Sequence, residues 1–242
     1  MIDFYFHSTP NSMKVMLFLE ELNLPYNLKV IDIFKGEQHS EPYLAINPNG
    51  KVPALRDGET MVFDSHAILL YLARKHARFS PDADQSYAFM LSWLEFIATG
   101  LSPFSGQAVH FLHYAPEPIA YATHRYVGEV ERHYQVLERH LAKNRYLAGE
   151  QYTIADMALW GWAISAGYIF GERALADYPN VERLVQEISR RPAALNALAI
   201  RDCNQGTAAL DDESRRALFP RLHSAKSSQA TSILRSQQGE IE

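Results

Sequence analysis

The spacing of apolar positions changes character once along the chain, near residue 80. Residues 2–6, Ile-Asp-Phe-Tyr-Phe, are a short aromatic and β-branched run that predicts a strand. A turn follows at His7-Ser8-Thr9-Pro10-Asn11, and 12–22 predicts a helix apolar enough to be buried on most sides, ending before Asn23 and Pro25. Residues 26–33 predict a second strand, the polar stretch 34–40 a loop, and 41–46 a short helix. A hairpin over 53–56 and 61–63 turns at Asp57-Gly58. An amphipathic helix then carries Ala67, Ile68, Leu69, Tyr71 and Leu72, with Ser65 as its expected N-cap. The order βαβαββα describes an α/β sandwich over residues 1–76.

Residues 77–83 have no periodicity and include Pro81, so they read as a linker. Beyond them the pattern is helical throughout. Helices are expected over 84–99 and 119–141, with the proline-bearing segment 102–119 as an interruption. Tyr146 to Gly149 predicts a turn. Thr153-Ile154-Ala155-Asp156 is a capping box opening the next helix, with Tyr152 and Met157 placed for a hydrophobic staple. A last pair of helices is expected over 181–190 and 192–200, which completes an all-α domain over 84–201. From 202 to 242 the chain turns polar and Ser/Gln-rich and is expected to be disordered. There is no internal repeat.

Composition narrows the partners. Apolar residues make up 47% of the 242, enough for a substantial core, and 23 basic against 28 acidic residues argue against a general nucleic-acid binder. Cys203 is the only cysteine, so there is no intrachain disulfide framework. The start MIDFYFHSTPN lacks the layout of a signal peptide, and no run reaches the ~18 apolar residues that span a bilayer. The simple expectation is a cytoplasmic protein acting without a membrane. His110 and His113 are three apart but have no Cys or carboxylate beside them, so no metal is expected.

The chemistry is concentrated between Asn47 and His76. Pro53 cannot sit inside a paired central strand but fits as a strand's first residue, and an X-Pro bond in a tight turn is where a cis peptide arises. A bend there leaves the N–H and C=O of Val52 free to pair with an extended peptide. The N-terminus of the following helix, at Ser65, offers unpaired N–H groups to a carboxylate, and Asp64 beside it can take an amino group. A peptide-binding edge next to a site for an α-amino acid end fits glutathione.

Asn47-Pro48-Asn49-Gly50-Lys51-Val52-Pro53-Ala54-Leu55, followed by Asp64-Ser65-His66-Ala67-Ile68-Leu69, resembles the glutathione transferase superfamily. Within it, the opening YFHSTPNSMKVMLFLEEL is similar to the bacterial nu-class disulfide-bond oxidoreductases, whose branch also holds fungal nitrogen regulators. The resemblance covers roughly residues 1–200. It implies an N-terminal thioredoxin-like domain followed by an all-helical domain, and a homodimer. It implies glutathione as co-substrate, with a thiolate stabilised by Thr9 and Asn11. A hydroxyl, an amide and a helix N-terminus all favour a thiolate over a thiol. Ser8 and Ser12 are rivals for the hydroxyl role, and Tyr5 ranks below them. The family often has Gly where Ser12 stands here. Gln38 is implied at the glycyl end of glutathione, Lys51 near a carboxylate, and Arg125 toward the γ-glutamyl end, from the helical domain.

With no cysteine near this site, disulfide chemistry needs both thiols from elsewhere: a bound glutathione attacking a mixed disulfide, or two glutathiones bound as their disulfide. The leading expectation is therefore glutathione-dependent disulfide reduction, with weak transferase or peroxidase activity beside it. A small electrophile as substrate makes the second expectation, glutathione conjugation; a non-enzymatic regulatory or assembly module is the third. Trp93, Phe96, Phe104 and Phe111 are expected around the second-substrate pocket.

Overall fold

The computed structural model describes residues 1–204 and 211–220. Strands β1 (Ile2–Phe6), β2 (Tyr26–Val30), β3 (Ala54–Asp57) and β4 (Thr60–Phe63) form one mixed sheet in the order β2-β1-β3-β4. β1 runs parallel to β2 and antiparallel to β3, and β3–β4 is the hairpin. Helix α1 (Pro10–Leu22) is the crossover between the parallel strands, α2 (Glu41–Leu44) is short, and α3 (Ser65–His76) follows the hairpin. Phe4 and Phe6 on central β1 are fully buried, as their aromatic run requires.

Helix α1 is water-free along eight consecutive residues, Ser12 to Leu19. An amphipathic surface helix would bury one stripe. This one is buried all round because it packs against α3 on one side and helices of the second domain on the other. Those are α7 (Ile154–Ala163) and α10 (Pro192–Cys203). Before α7 come α4 (Asp84–Phe96), α5 (Ser102–Val109) and α6 (Ala120–Leu141), and between α7 and α10 the one-turn α8 (Gly167–Phe170) and α9 (Pro179–Ser189). None of the described helices is long and apolar enough to cross a membrane.

Three expectations need correction. The helix after α4 runs on through 102–114, and the expected interruption is confined to 115–119. Residues 97–101 and 110–114 form wide turns with i→i+5 bonds, Ser102 N–H to the Ile97 carbonyl and Ala115 N–H to that of His110. The wide turn before Pro103 gives its ring room that an α-helical carbonyl four residues back would deny. Second, the N-cap of α3 is Asp64, not Ser65: its Oδ1 accepts from the N–H groups of His66 (2.9 Å) and Ala67 (3.4 Å). Third, α10 runs through Cys203 and a further helix, α11 (Asp212–Leu218), lies in the stretch expected to be structureless. Asp211 caps it, accepting from Ser214 N–H at 2.8 Å. The rest of that expectation, at 205–210 and 221–242, falls outside the described residues.

Two glycines set the approach of the helices. A Cβ at Gly100 would lie 2.2 Å from His133 Nε2, so only glycine admits α6 against the wide turn. A Cβ at Gly161 would lie 2.5 Å from both the Pro10 carbonyl and Lys14 Cγ. Gly161 thereby seats α7 on the first turn of α1. Thr153 and Asp156 form the expected capping box: the buried Asp156 carboxylate accepts from Thr153 N–H (2.8 Å), Thr153 Oγ1 (3.1 Å) and Leu147 N–H (2.8 Å).

Candidate active site

A cavity of about 640 Å³ lies where the first turn of α1, the β2–α2 loop and the bend before β3 meet the helical domain. From the α/β side it is lined by His7, Ser8, Thr9, Asn11, Gln38 and the Lys51–Val52 step. The Val52-Pro53 peptide is cis, and the strand ladder begins only at Ala54, so neither polar group of Val52 belongs to the sheet. Lys51 is fixed behind the bend, its carbonyl accepting from Tyr43 Oη (2.6 Å) and Asn47 Nδ2 (2.6 Å).

The first turn of α1 has few donors to give. Pro10 has no N–H. Ser12 N–H is taken by Thr9 Oγ1 at 3.3 Å, and Met13 N–H by the Thr9 carbonyl at 3.0 Å. The Thr9 hydroxyl itself donates to Ser12 Oγ at 3.1 Å. Thr9 thus caps α1 while it also lines the cavity. Asn11 takes no part in the cap: its side-chain Oδ1 is buried and meets no partner among the described residues. A buried, unmade hydrogen bond is costly, and such atoms in a cavity wall mark where a ligand completes the bonding.

Gln38 is only 3% exposed, and its Nε2 donates to the Ile33 carbonyl (3.2 Å) and the Ala217 carbonyl (3.1 Å). Its Oε1 is orphaned in the same way as that of Asn11. His7 holds the loop with Nδ1 2.8 Å from the Ile31 carbonyl, and its ring meets Phe34 edge-on. Burial pulls its pKa below the ordinary value, against that hydrogen bond and Asp32.

Thr9, Asn11, Gln38, Lys51 and Val52 therefore come together, and Asp64, Ser65 and Arg125 do not line the cavity. Asp64 stands one residue past the Ala54–Phe63 pair, at the Val52 end of the hairpin, with φ +73°, a conformation that non-glycine residues rarely adopt. Ser65 is buried behind it. Arg125 lies on α6, half-exposed and paired with Glu129 at 2.6 Å. Glu129 holds that guanidinium above its ordinary pKa.

The helical wall differs from the one expected. Trp93 and Phe96 pack against His140 and His133, and Phe104 and Phe111 against Tyr126. All four are held within the α4–α6 region by these ring contacts. The wall is instead made by Val109, Tyr114, Trp162, Ser165, Tyr168 and Arg201, with Phe219 beyond α11. Trp162 follows Gly161, and its buried Nε1 has no partner among the described residues. Their signal in the sequence was slight: a Gly-Trp step in an apolar helix, and Leu218-Phe219 as an apolar pair in a polar tail. His110 packs on Phe219, and His113 Nε2 lies 2.6 Å from the Tyr168 carbonyl.

Residues 9–75 match the family model for the glutathione S-transferase N-terminal domain, and 103–192 the model for its C-terminal domain. The chain is 43% identical over 205 residues to the disulfide-bond oxidoreductase YfcG of Escherichia coli (strain K12), covering 82% of this chain and 94% of that one. Its fold matches that of glutathione transferase URE2P6 from Phanerochaete chrysosporium, solved with oxidized glutathione. The TM-score is 0.79 at 33% identity, over 84% of this chain and 97% of that one. A glutathione transferase family member from Pseudomonas fluorescens pf-5, solved with two glutathione bound, matches at TM-score 0.78 and 32% identity, over 81% and 92%.

Proposed function

Since this chain belongs to the glutathione transferase superfamily, with both halves of the fold matched, we propose that it reduces disulfides by means of a bound glutathione thiolate. One observation carries the reading. The cavity joins a helix N-terminus, the Asn11 side chain, whose amide Nδ2–H is the donor a thiolate needs, and the free edge at Val52, while the chain's only cysteine, Cys203, is exposed and not among the cavity-lining residues. A site that collects thiolate-stabilising groups and owns no thiol must receive its thiol with the substrate.

Glutathione lies along Val52 in strand-like pairing, its glycyl end toward Gln38 and Lys51. Its γ-glutamyl end lies toward Asp64 and Ser65, at the same end of the hairpin. The Asn11 side chain, donating through Nδ2–H, and the partial positive charge at the start of α1 hold the sulfur ionised. The thiolate attacks the glutathione sulfur of a mixed disulfide; one S–S bond forms as another breaks. The substrate leaves as a thiolate that takes up a proton, and the two glutathiones leave as their disulfide. The cavity volume falls in the range of small-molecule sites, about 300–1,000 Å³, and the similarity to a relative solved with two glutathione supports room for both.

Arg125, exposed on α6, does not line this chain's own cavity, and the reading has it reach glutathione from a partner. The reading therefore includes a homodimer, with Met61 and Phe63 on edge strand β4 as exposed apolar candidates for its contact. The apolar part of the helical wall, Val109 and Trp162, favours weak conjugation to an electrophile as a side activity. Calorimetric titration with glutathione and then with glutathione disulfide tests the main reading. Disulfide binding at least as tight as thiol binding supports two subsites. Binding of the reduced form alone moves conjugation ahead, and no binding of either up to millimolar levels ends the proposal.

A further inference from the structure

Helix α11 and the two residues around its end cross the cavity from one domain to the other. On the α/β side, Ala217 packs over Gly36, where an added Cβ would sit 3.7 Å from its own Cβ, and the Ala217 carbonyl accepts from Gln38 Nε2 at 3.1 Å. On the helical side, the Phe219 ring lies 4.8 Å from that of His110, edge-on, and 5.9 Å from that of Tyr114. Leu218 and Phe219 line the cavity between these anchor points. The near-complete burial of Gln38 includes this contact: the amide that should face a ligand faces a backbone carbonyl instead.

We infer that residues 211–219 are an internal competitor for the glutathione site, with the Ala217 carbonyl standing where a ligand oxygen would accept from Gln38. The inference rests on the reading of Gln38 as a glutathione contact. A peptide carbonyl and a carboxylate oxygen ask the same thing of that amide, one donated hydrogen bond. They cannot both have it in the observed geometry, because the other neighbours of Gln38 Nε2, the Ile33 carbonyl (3.2 Å) and His39 Nε2 (3.3 Å), already take up its second N–H. A ligand oxygen that takes this amide therefore displaces the segment, and apparent affinity is reduced by the fraction of molecules in which the segment is seated.

The segment is built to leave. A helix of seven residues is marginal by itself, so α11 depends on its cap and on its two anchors. Asp211 supplies the cap and is not among the cavity-lining residues. Phe219 supplies the helical-side anchor. These two positions separate competition from a change in pocket shape, since Asp211→Ala loosens the segment without altering the wall.

The experiment is calorimetric titration of the full-length chain with reduced glutathione, for wild type, Asp211→Ala and Phe219→Ala. It is paired with hydrogen exchange at residues 214–219, with and without saturating glutathione. Both variants are expected to bind glutathione more tightly, by up to about tenfold, the factor that loss of one cap or one aromatic contact corresponds to. Exchange at 214–219 is expected to quicken in wild type when glutathione binds. Equal or weaker binding by Asp211→Ala, or slower exchange on binding, overturns the competition and leaves the functional reading standing. Absence of glutathione binding in all three proteins overturns both.

Discussion

Asn11 and Thr9 flank Pro10 in the sequence and do different work. Thr9 caps α1 with its hydroxyl engaged on both sides by Ser12, whereas Asn11 lines the cavity with a side-chain amide that takes no part in the cap and can donate through Nδ2–H. Thr9→Ala is therefore expected to cost about 1 kcal/mol of stability, the usual loss at an N-cap, and Thr9→Ser to restore it. Asn11→Ala should leave the urea midpoint nearly unchanged. It should lower kcat/KM for glutathione-dependent disulfide reduction by about 10²-fold, the scale for one lost charge-stabilising donor. Parallel activity and urea assays decide this; an Asn11→Ala enzyme of full activity would move the thiolate role elsewhere. The sequence motif named both residues but could not divide their labour, because that depends on which hydrogen bonds the turn consumes. Gln38, Lys51 and Val52 were legible from the motif in the same way. Trp162 and Phe219 were not, since each enters the cavity through a distant element whose placement no local pattern encodes.

At the scale of elements, close approach and satisfied polar groups decide the architecture. Gly161→Ala would push a methyl group onto the Pro10 carbonyl and Lys14. It is expected to destabilise by about 1–3 kcal/mol, as overpacking does. Because the shift falls on the first turn of α1, glutathione affinity should fall as well; a loss of stability with unchanged affinity would disconnect α7 from the site. Asp156 is fully buried, and burial pushes its pKa up to about 6 although its three donors pull the other way. Asp156→Ala leaves Leu147 and Thr153 with unanswered donors and is expected to cost about 3 kcal/mol, read from urea unfolding monitored by circular dichroism. The strands, the crossover helix and this capping box were legible because period, β-branched runs and cap residues are local signals. The continuation through Pro103 was hidden because i→i+5 turns have no periodic signature, and α11 because seven residues in a polar tail carry too little apolar pattern.

Across the whole molecule, the two domains meet at a buried lysine. Lys14 on α1 is wholly buried, with Nζ 3.0 Å from His66 Nε2 on α3 and donating to Ser102 Oγ on α5 at 3.1 Å. Burial pulls its pKa down to about 7, with Asp64 opposing, and burial beside Lys14 holds His66 neutral. Between pH 7 and the ordinary lysine value of 10.5 the native state keeps Nζ uncharged while the unfolded chain is protonated. The unfolded state then binds more protons, so this group makes stability rise with pH across that window. Wild type should therefore gain stability relative to Lys14→Met between pH 7 and pH 9 in urea titrations, and a constant difference would show that the ammonium stays charged in the fold.

The all-round burial of α1 carries a consequence for how the protein comes apart. Its flank toward α7 and α10 is as dry as its flank toward the sheet, so each domain uses the same helix as an inner wall. Neither half owns that wall alone. Cut between residues 76 and 84, the first piece would present the dry flank of this helix to water and clump, and the second would be left with an open trough. Mixed together, the pieces should recognise each other as a ready-made pair, and heat should melt the intact chain in one step rather than two.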